Sequence, residues 1–165
     1  MVDLATLPPD WAVTSMQFTR KAYTDMYPAI DPTDPRNSLR GKTVVVTGAS
    51  RGIGAQSIAP AFAKAGAKAI VLMATNATKL ASVEEKLKKI RPDLDILALS
   101  VDISSVAQVT KAWSEINARF PEVHVLINNA GVESSEGDKE MHEQDPNIFF
   151  KNFVSKCRAH LAEAV

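Results

Sequence analysis

The sequence predicts an α/β protein, a doubly wound parallel sheet of about four strands with helices on both faces. Short apolar runs rich in β-branched residues recur along the chain, and the segments between them carry apolar residues at helical spacing. A glycine-rich loop joins the first of these runs to the first helical segment. Strands that alternate with helices in this order form parallel sheets, because each helix carries the chain back across the sheet.

The first strand and the first helix lie on either side of that loop. Thr43-Val44-Val45-Val46 is a short run of the kind that is buried on both faces of a parallel sheet. A helix is expected from Ile53 to Ala65, ended by Gly66. Because Pro60 has no backbone N–H for the helical ladder, we expect a kink or a local distortion there.

The second strand and helix follow directly. Ala69-Ile70-Val71-Leu72-Met73 reads as a second buried strand. The apolar residues after it repeat at helical spacing, and they are Leu80, Val83, Leu87 and Ile90. Pro92 then closes this helix.

Two more strands and a third helix complete the regular part of the chain. Asp95 to Ser100 is predicted as the third strand, and Val123 to Ile127 as the fourth. Between them a helix should run to about Arg119, with Ser105 and Gln108 as a capping box at its start. A polar loop and a last helix from about Asn147 come after the fourth strand.

The first forty residues differ in composition from the rest. They hold five of the nine prolines, at Pro8, Pro9, Pro28, Pro32 and Pro35. We therefore divide the chain into a proline-rich N-terminal arm, residues 1–40, and a partial α/β domain, residues 41–165. Aromatic side chains such as Trp11 and Phe18 would pin the arm to a surface. A partly disordered leader fits the same composition.

Composition and charge narrow the functional classes. Lys+Arg and Asp+Glu balance at 19 each, so no net charge attracts nucleic acid. No apolar run approaches the ~20 residues needed to span a bilayer, and the N-terminus lacks a signal-peptide pattern. The single cysteine, Cys157, fits a reducing compartment, so we expect a cytoplasmic protein. His142 and His160 have no partners at metal-ligand spacing, and no metal site is expected.

The loop after the first strand carries the strongest functional signal. Gly48 permits a tight turn, Gly52 lets the backbone approach a phosphate, and Gly54 permits close packing of the following helix. The amides at the start of that helix then point at the anion. A glycine-rich structural turn is the alternative, but a preceding strand and a following helix are the context that favours a dinucleotide site.

Three motifs resemble those of the short-chain dehydrogenase/reductase family. Thr47 to Gly54 is similar to its T-G-x-x-x-G-x-G loop. Val101-Asp102-Ile103 follows the third strand, where the family places an Asp against the adenine. Asn128-Asn129-Ala130-Gly131 matches the family's N-N-A-G, which supports the sheet beside the cofactor. The resemblance implies an incomplete Rossmann-like fold and covers about Gly41 to Gly131 well.

On this resemblance we expect one set of residues to bind the cofactor. They are Gly48, Ser50, Arg51, Gly52, Ile53, Gly54, Thr75, Asp102, Ile103, Asn129, Ala130 and Gly131. Other interpretations stay open for some of them. Asp102 would also suit a loop or a helix cap, Asn129 a turn after a strand, and Arg51 a solvated loop charge.

The choice of cofactor is read near the end of the second strand. NAD sites place an acid there to bind the ribose 2′-hydroxyl, about 20 residues beyond the glycines. This chain has Ala74-Thr75-Asn76 at that point, with no acid. Arg51 would instead meet a 2′-phosphate, and Thr75 or Asn76 would hydrogen-bond to it. The sequence therefore favours NADP over NAD.

The family's catalytic residues have no counterpart in the chain, so we predict none. The family uses a Tyr-x-x-x-Lys pair and a Ser, whereas the two tyrosines here, Tyr23 and Tyr27, both precede the nucleotide loop. The Asn of the family's fourth helix aligns with Lys156, unless a small slip brings Asn152 nearer. The chain ends at Val165, before the fifth strand and the catalytic helix, as a C-terminally truncated member would.

We therefore expect an oxidoreductase-family protein that is inactive alone. Its parent reaction would be NADP-linked alcohol oxidation or carbonyl reduction. One alternative is a non-catalytic module that binds a dinucleotide or forms a homo- or hetero-oligomer with a related chain. Another is a chain that does not fold stably, because the strand edge left by a missing fifth strand would invite aggregation.

Overall fold

A computed structural model describes residues 25–131 and 140–153, together with isolated positions before residue 25. Within the predicted arm, two short 3-10 turns lie at Pro28–Ile30 and Pro35–Asn37. The backbone N–H of Leu39 donates to the carbonyl of Ala65, which joins the end of the arm to the first helix. The domain boundary after residue 40 stays a prediction.

Four strands form one parallel sheet in the described part of the chain. They are β1 (Thr43–Thr47), β2 (Ala69–Ala74), β3 (Asp95–Ser100) and β4 (Val125–Ile127). Their order is β3-β2-β1-β4, so the chain first builds outward to one side of β1 and then crosses to the other. This confirms the predicted doubly wound parallel sheet. β1 and β2 are buried along their whole lengths, as their apolar sequences require.

Helices cover both faces of the sheet. A π-helical turn over Gly54–Ile58 continues into α1 (Ala59–Lys64), and α2 (Ala77–Ile90) packs beside it. The opposite face is covered by α3 (Val106–Arg119). The last described helix is α4 (Pro146–Phe153), close to where the sequence places it.

The alternation of side chains along β1 divides the core in two. Val44 and Val46 pack with α1 and α2, whereas Val45 packs with Val109, Ala112 and Ile116 of α3. Successive side chains of a strand point to opposite faces, so one apolar run supplies both cores. No helix among the described residues is long and apolar enough to cross a membrane.

The predicted distortion at Pro60 is present as a change of helix type. In the π-helical turn the N–H of Ala59 donates to the carbonyl of Gly54, one residue further back than in an α-helix. Pro60 is then in the first turn of the new α-helical segment, where a missing N–H disturbs least. Gly66, with φ of 86°, follows the end of α1 as the expected stop.

Only one of the two hydrogen bonds of the capping box expected at the start of α3 is present. Ser105 caps the helix by accepting from the N–H of Gln108, as predicted. The Gln108 side chain, however, does not return to Ser105, because the Ser105 N–H already donates to the carbonyl of Asp102 at 3.0 Å. Its Oε1 accepts instead from the N–H of Asp102, at 2.9 Å.

His124 begins the pairing of β4 with β1. Its backbone N–H donates to the carbonyl of Thr43 at 3.0 Å, and its Nδ1 accepts from the N–H of Thr43 at 3.1 Å. Nε2 lies 3.4 Å from a carboxylate oxygen of Glu122. His124 is thus a packed residue directly before β4, with its side chain 18% exposed.

Replacing His124 with Phe would keep a ring but remove the acceptor for the Thr43 amide, a residue only 4% exposed. We expect the free energy of unfolding to fall by about 1–3 kcal/mol, the cost of a buried donor left unpaired. In His124→Asn the side-chain Oδ1 takes the place of Nδ1, so the free energy of unfolding should fall less. Chemical denaturation of both variants measures this, and wild-type stability of His124→Phe would contradict it.

Candidate functional site

The carboxyl ends of the strands open on one cleft of about 420 Å³. Parallel α/β sheets bind ligands at this end, where neighbouring strands send their connections to opposite sides. The lining comes from the last residue of β2 and from the segments after all four strands: Gly48, Ser50, Arg51, Gly52, Ile53, Ala74, Thr75, Val101, Asp102, Ile103, Asn129, Ala130 and Gly131. Every residue predicted to bind cofactor is in this set except Gly54, and sequence reasoning missed Ala74 and Val101.

Two glycines shape the loop after β1. Gly48 and Gly52 have φ of 66° and 56°, a region that other residues rarely adopt. A Cβ on Gly48 would lie 2.8 Å from the Cα of Ala130, so the loop after β4 leaves no space for a side chain there. A Cβ on Gly52 would meet nothing within 4 Å. The backbone at Gly52 therefore faces open space.

Gly54 lies beneath the loop rather than in the cleft wall. A Cβ there would lie 2.5 Å from the carbonyl oxygen of Gly48 and 2.7 Å from Nδ2 of Asn129. The residue thus allows the helix start to approach both loops closely, which is the packing role that its spacing predicts.

The buried Thr47 side chain connects the loops after β1 and β4. Its Oγ1 donates to the carbonyl of Ile127 at 3.2 Å and accepts from the N–H groups of Asn129 and Ala130, each at 3.1 Å. Asn129 returns two bonds, from Nδ2 to the carbonyls of Thr47 at 3.0 Å and Gly48 at 3.4 Å. The side-chain amide of Asn129 therefore holds the loop that follows β1.

Thr47 was not among the predicted site residues. The available signal was a hydroxyl side chain at the end of an otherwise apolar strand, directly before the glycines. Asn128, by contrast, is exposed and is not among the residues that line the cleft.

The segment after β3 is held by its own side chains. Oδ1 of Asp102 accepts from the N–H of Ser104 at 2.9 Å and from its hydroxyl at 2.7 Å. Asp102 also lines the cleft. The two interpretations of this carboxylate, a loop anchor and a cleft residue, are therefore compatible.

Arg51 and Thr75 lie in the cleft wall, after β1 and β2 respectively. Arg51 is exposed and forms no salt bridge with any residue that the structure describes. The carbonyl of Thr75 accepts from the hydroxyl of Ser100 at 3.1 Å, which fixes the backbone there. Asn76 is absent from the lining; its side chain accepts from the N–H of Lys79 at 2.9 Å and caps α2.

The remaining chemistry-bearing residues lie elsewhere. Tyr23 and Tyr27 stack on each other in the arm, with ring centroids 4.3 Å apart. Among the described residues, no three His, Cys, Asp or Glu side chains are grouped as metal ligands would be. Cys157, His160 and the aligned position Lys156 lie outside the described residues, and so does the side chain of Asn152.

Comparison with known proteins finds relatives over most of the chain. A family model for short chain dehydrogenases matches residues 42–157. The short chain dehydrogenase tazN of Aspergillus terreus is 36% identical over 125 residues, which cover 76% of this chain and 25% of that protein. The chain thus spans a quarter of the length of this curated relative.

Solved structures agree with the fold. L-sorbose reductase of Gluconobacter frateurii, complexed with NADPH and L-sorbose, is 29% identical, with a TM-score of 0.66 over 77% of this chain and 46% of that one. A metagenomic short-chain oxidoreductase in complex with NADP is 31% identical, with a TM-score of 0.66 over 75% of this chain and 53% of that one.

Thr47→Val removes the hydroxyl while keeping the shape of the side chain. The N–H groups of Asn129 and Ala130 would lose their acceptor, so we expect the free energy of unfolding to fall by about 2–4 kcal/mol. Thr47→Ser keeps the hydroxyl and should lose only about 1 kcal/mol, for the methyl group. Denaturant titration compares them, and equal losses would show that the hydroxyl does not stabilise the two loops.

Proposed function

The chain belongs to the short-chain dehydrogenase/reductase family, and from that premise we propose that its cleft binds a nicotinamide dinucleotide, NADP in preference to NAD. The observation that carries the proposal is the open space at Gly52, where a left-handed backbone faces the cleft just before a helix begins. Backbone amides at such a helix start attract phosphate oxygens.

The cleft offers a place for each part of a dinucleotide. We assign the pyrophosphate to the loop from Gly48 to Gly54 and the adenine to Asp102 and Ile103. The ribose near the nicotinamide would lie against residues 129–131. This assignment is supported by the lining, which joins the segments after all four strands in a single cleft.

The preference for NADP rests on charge. Among the described residues, Arg51 is the only cationic side chain in the lining, and it forms no salt bridge with any of them. A guanidinium suits a phosphate well, because its planar donors match phosphate oxygens. Thr75 and Asn76 follow β2 directly, so no acid lies at that point to repel a 2′-phosphate. Solved structures of similar fold contain NADPH, NADP or NAD+, so the preference rests on Arg51.

The parent reaction is NADP-linked oxidation of an alcohol or reduction of a carbonyl, and we propose that these 165 residues bind the cofactor without performing it alone. Hydride transfer in the family needs a titratable group at the substrate. Neither tyrosine of the chain lies four residues before a lysine or lines the cleft. We place this protein in the cytoplasm, on the cysteine usage described above.

A second candidate function is that of a non-catalytic partner for a related chain. Among the described strands, β4 pairs only with β1, and its three residues are half-buried. An apolar strand with a free edge offers backbone groups to a strand of another protein. This observation favours a homo- or hetero-oligomer completed through β4.

Titration with NADPH and NADH tests the cofactor assignment. We expect saturable binding of NADPH and weaker binding of NADH. Arg51→Ala should weaken NADPH binding roughly 10- to 100-fold, the loss of charge-assisted hydrogen bonds, and leave NADH binding unchanged. Lys86→Ala, on the exposed face of α2, is the matched control for charge. A chain that binds neither nucleotide, or prefers NADH, would refute the assignment.

The second test is enzymatic. Purified protein with NADPH and a panel of ketones and aldehydes should show no oxidation of NADPH above the rate without protein. The missing proton donor is the physical reason. Carbonyl reduction that is abolished by Arg51→Ala would contradict the proposed inactivity.

The second candidate function is tested by the molecular mass of the chain in solution, measured alone and mixed with a full-length relative. A mass above that of the separate chains would support an oligomer.

A further inference from the structure

We propose that Gln108 is a positioning residue for the adenosine half of the dinucleotide. Its side-chain oxygen holds the segment 101–104, one wall of the cleft, in the conformation that receives the ligand. The inference rests on the proposed function and names a residue that neither lines the cleft nor belongs to any of the three motifs.

The geometry departs from an ordinary helix cap. Gln108 is the third residue of α3, and a capping glutamine there returns to the N–H of the capping residue. In this structure the Oε1 atom of Gln108 accepts from the N–H of Asp102 instead of that of Ser105, at 2.9 Å. The side chain thus connects the helix to the cleft wall instead of closing its own first turn.

This bond completes a set that occupies nearly every amide of the segment. The N–H of Val101 donates to the carbonyl of Ala74 at 2.9 Å, and that of Ser104 to Oδ1 of Asp102 at 2.9 Å. The N–H of Ser105 donates to the carbonyl of Asp102, and Gln108 takes the N–H of Asp102. These contacts fix the segment on both sides of Ile103.

Ile103 is the exception. Its N–H has no acceptor among the described residues, and the residue lines the cleft. By occupying the neighbouring amide, Gln108 leaves this N–H as the donor available to a planar base. Without Gln108 the Asp102 amide would turn to water or compete for the ligand, and the wall would no longer be preorganised.

Two substitutions separate this role from a structural one. Gln108→Met keeps the length of the side chain but has no acceptor of comparable strength. Gln108→Glu keeps the accepting oxygen, and its charge is favourable in the first turn of a helix. Gln108 is exposed, so both variants should fold with little change in the free energy of unfolding.

Two measurements on the full chain test the proposal: hydrogen exchange of the Asp102 amide, and equilibrium binding of NADPH. For Gln108→Met we expect faster exchange and roughly fivefold weaker binding, the worth of one solvent-accessible hydrogen bond. Gln108→Glu should restore both. Wild-type affinity and wild-type exchange in Gln108→Met would overturn the proposal while leaving the proposed function intact.

Failure of the function itself gives a different pattern. If the wild-type chain does not bind NADPH, the cofactor assignment and this inference fall together. Equal protection of the Asp102 amide in all three proteins would overturn the Gln108 contact whatever the chain binds.

Discussion

The hydroxyl of Thr47 is the interaction on which the cleft depends. It lies at the end of a strand buried on both faces, only 1% exposed, and takes part in three hydrogen bonds to the segment that leaves β4. Because the hydroxyl is both donor and acceptor, it holds together two loops that are far apart in the sequence. Asn129 closes the same contact from the other side.

The two loops are held so closely that glycine becomes a requirement of packing as well as of conformation. Gly48 lies against the backbone of Ala130, and Gly54 lies under the carbonyl of Gly48. Gly52, in contrast, has free space above it. In this glycine-rich motif, protein atoms therefore fill the space that a side chain would occupy at Gly48 and Gly54. At Gly52 the same space is open to a ligand.

Sequence patterns predict the parts of this structure that rest on local constraints. The buried run of β1, the distortion at Pro60 and the stop at Gly66 follow from β-branching, a missing N–H and a positive φ. The long-range contacts were out of reach, because spacing along the chain does not say which donor meets which acceptor. Gln108 illustrates this, since its side-chain oxygen was expected to accept from Ser105 and accepts instead from the N–H of Asp102.

The position of β1 in the middle of the sheet also sets the order in which the molecule can assemble. Its contacts with β2 close a short stretch of chain, whereas the bond from Thr47 to Ile127 spans 80 residues. Contacts of such separation slow folding, because loop-closure entropy opposes them until nearer contacts have formed. On a ribosome, the loop that begins at Gly48 would emerge long before Ala130, the residue that packs against it. The cleft can therefore form only after the segment that leaves β4 has been synthesised.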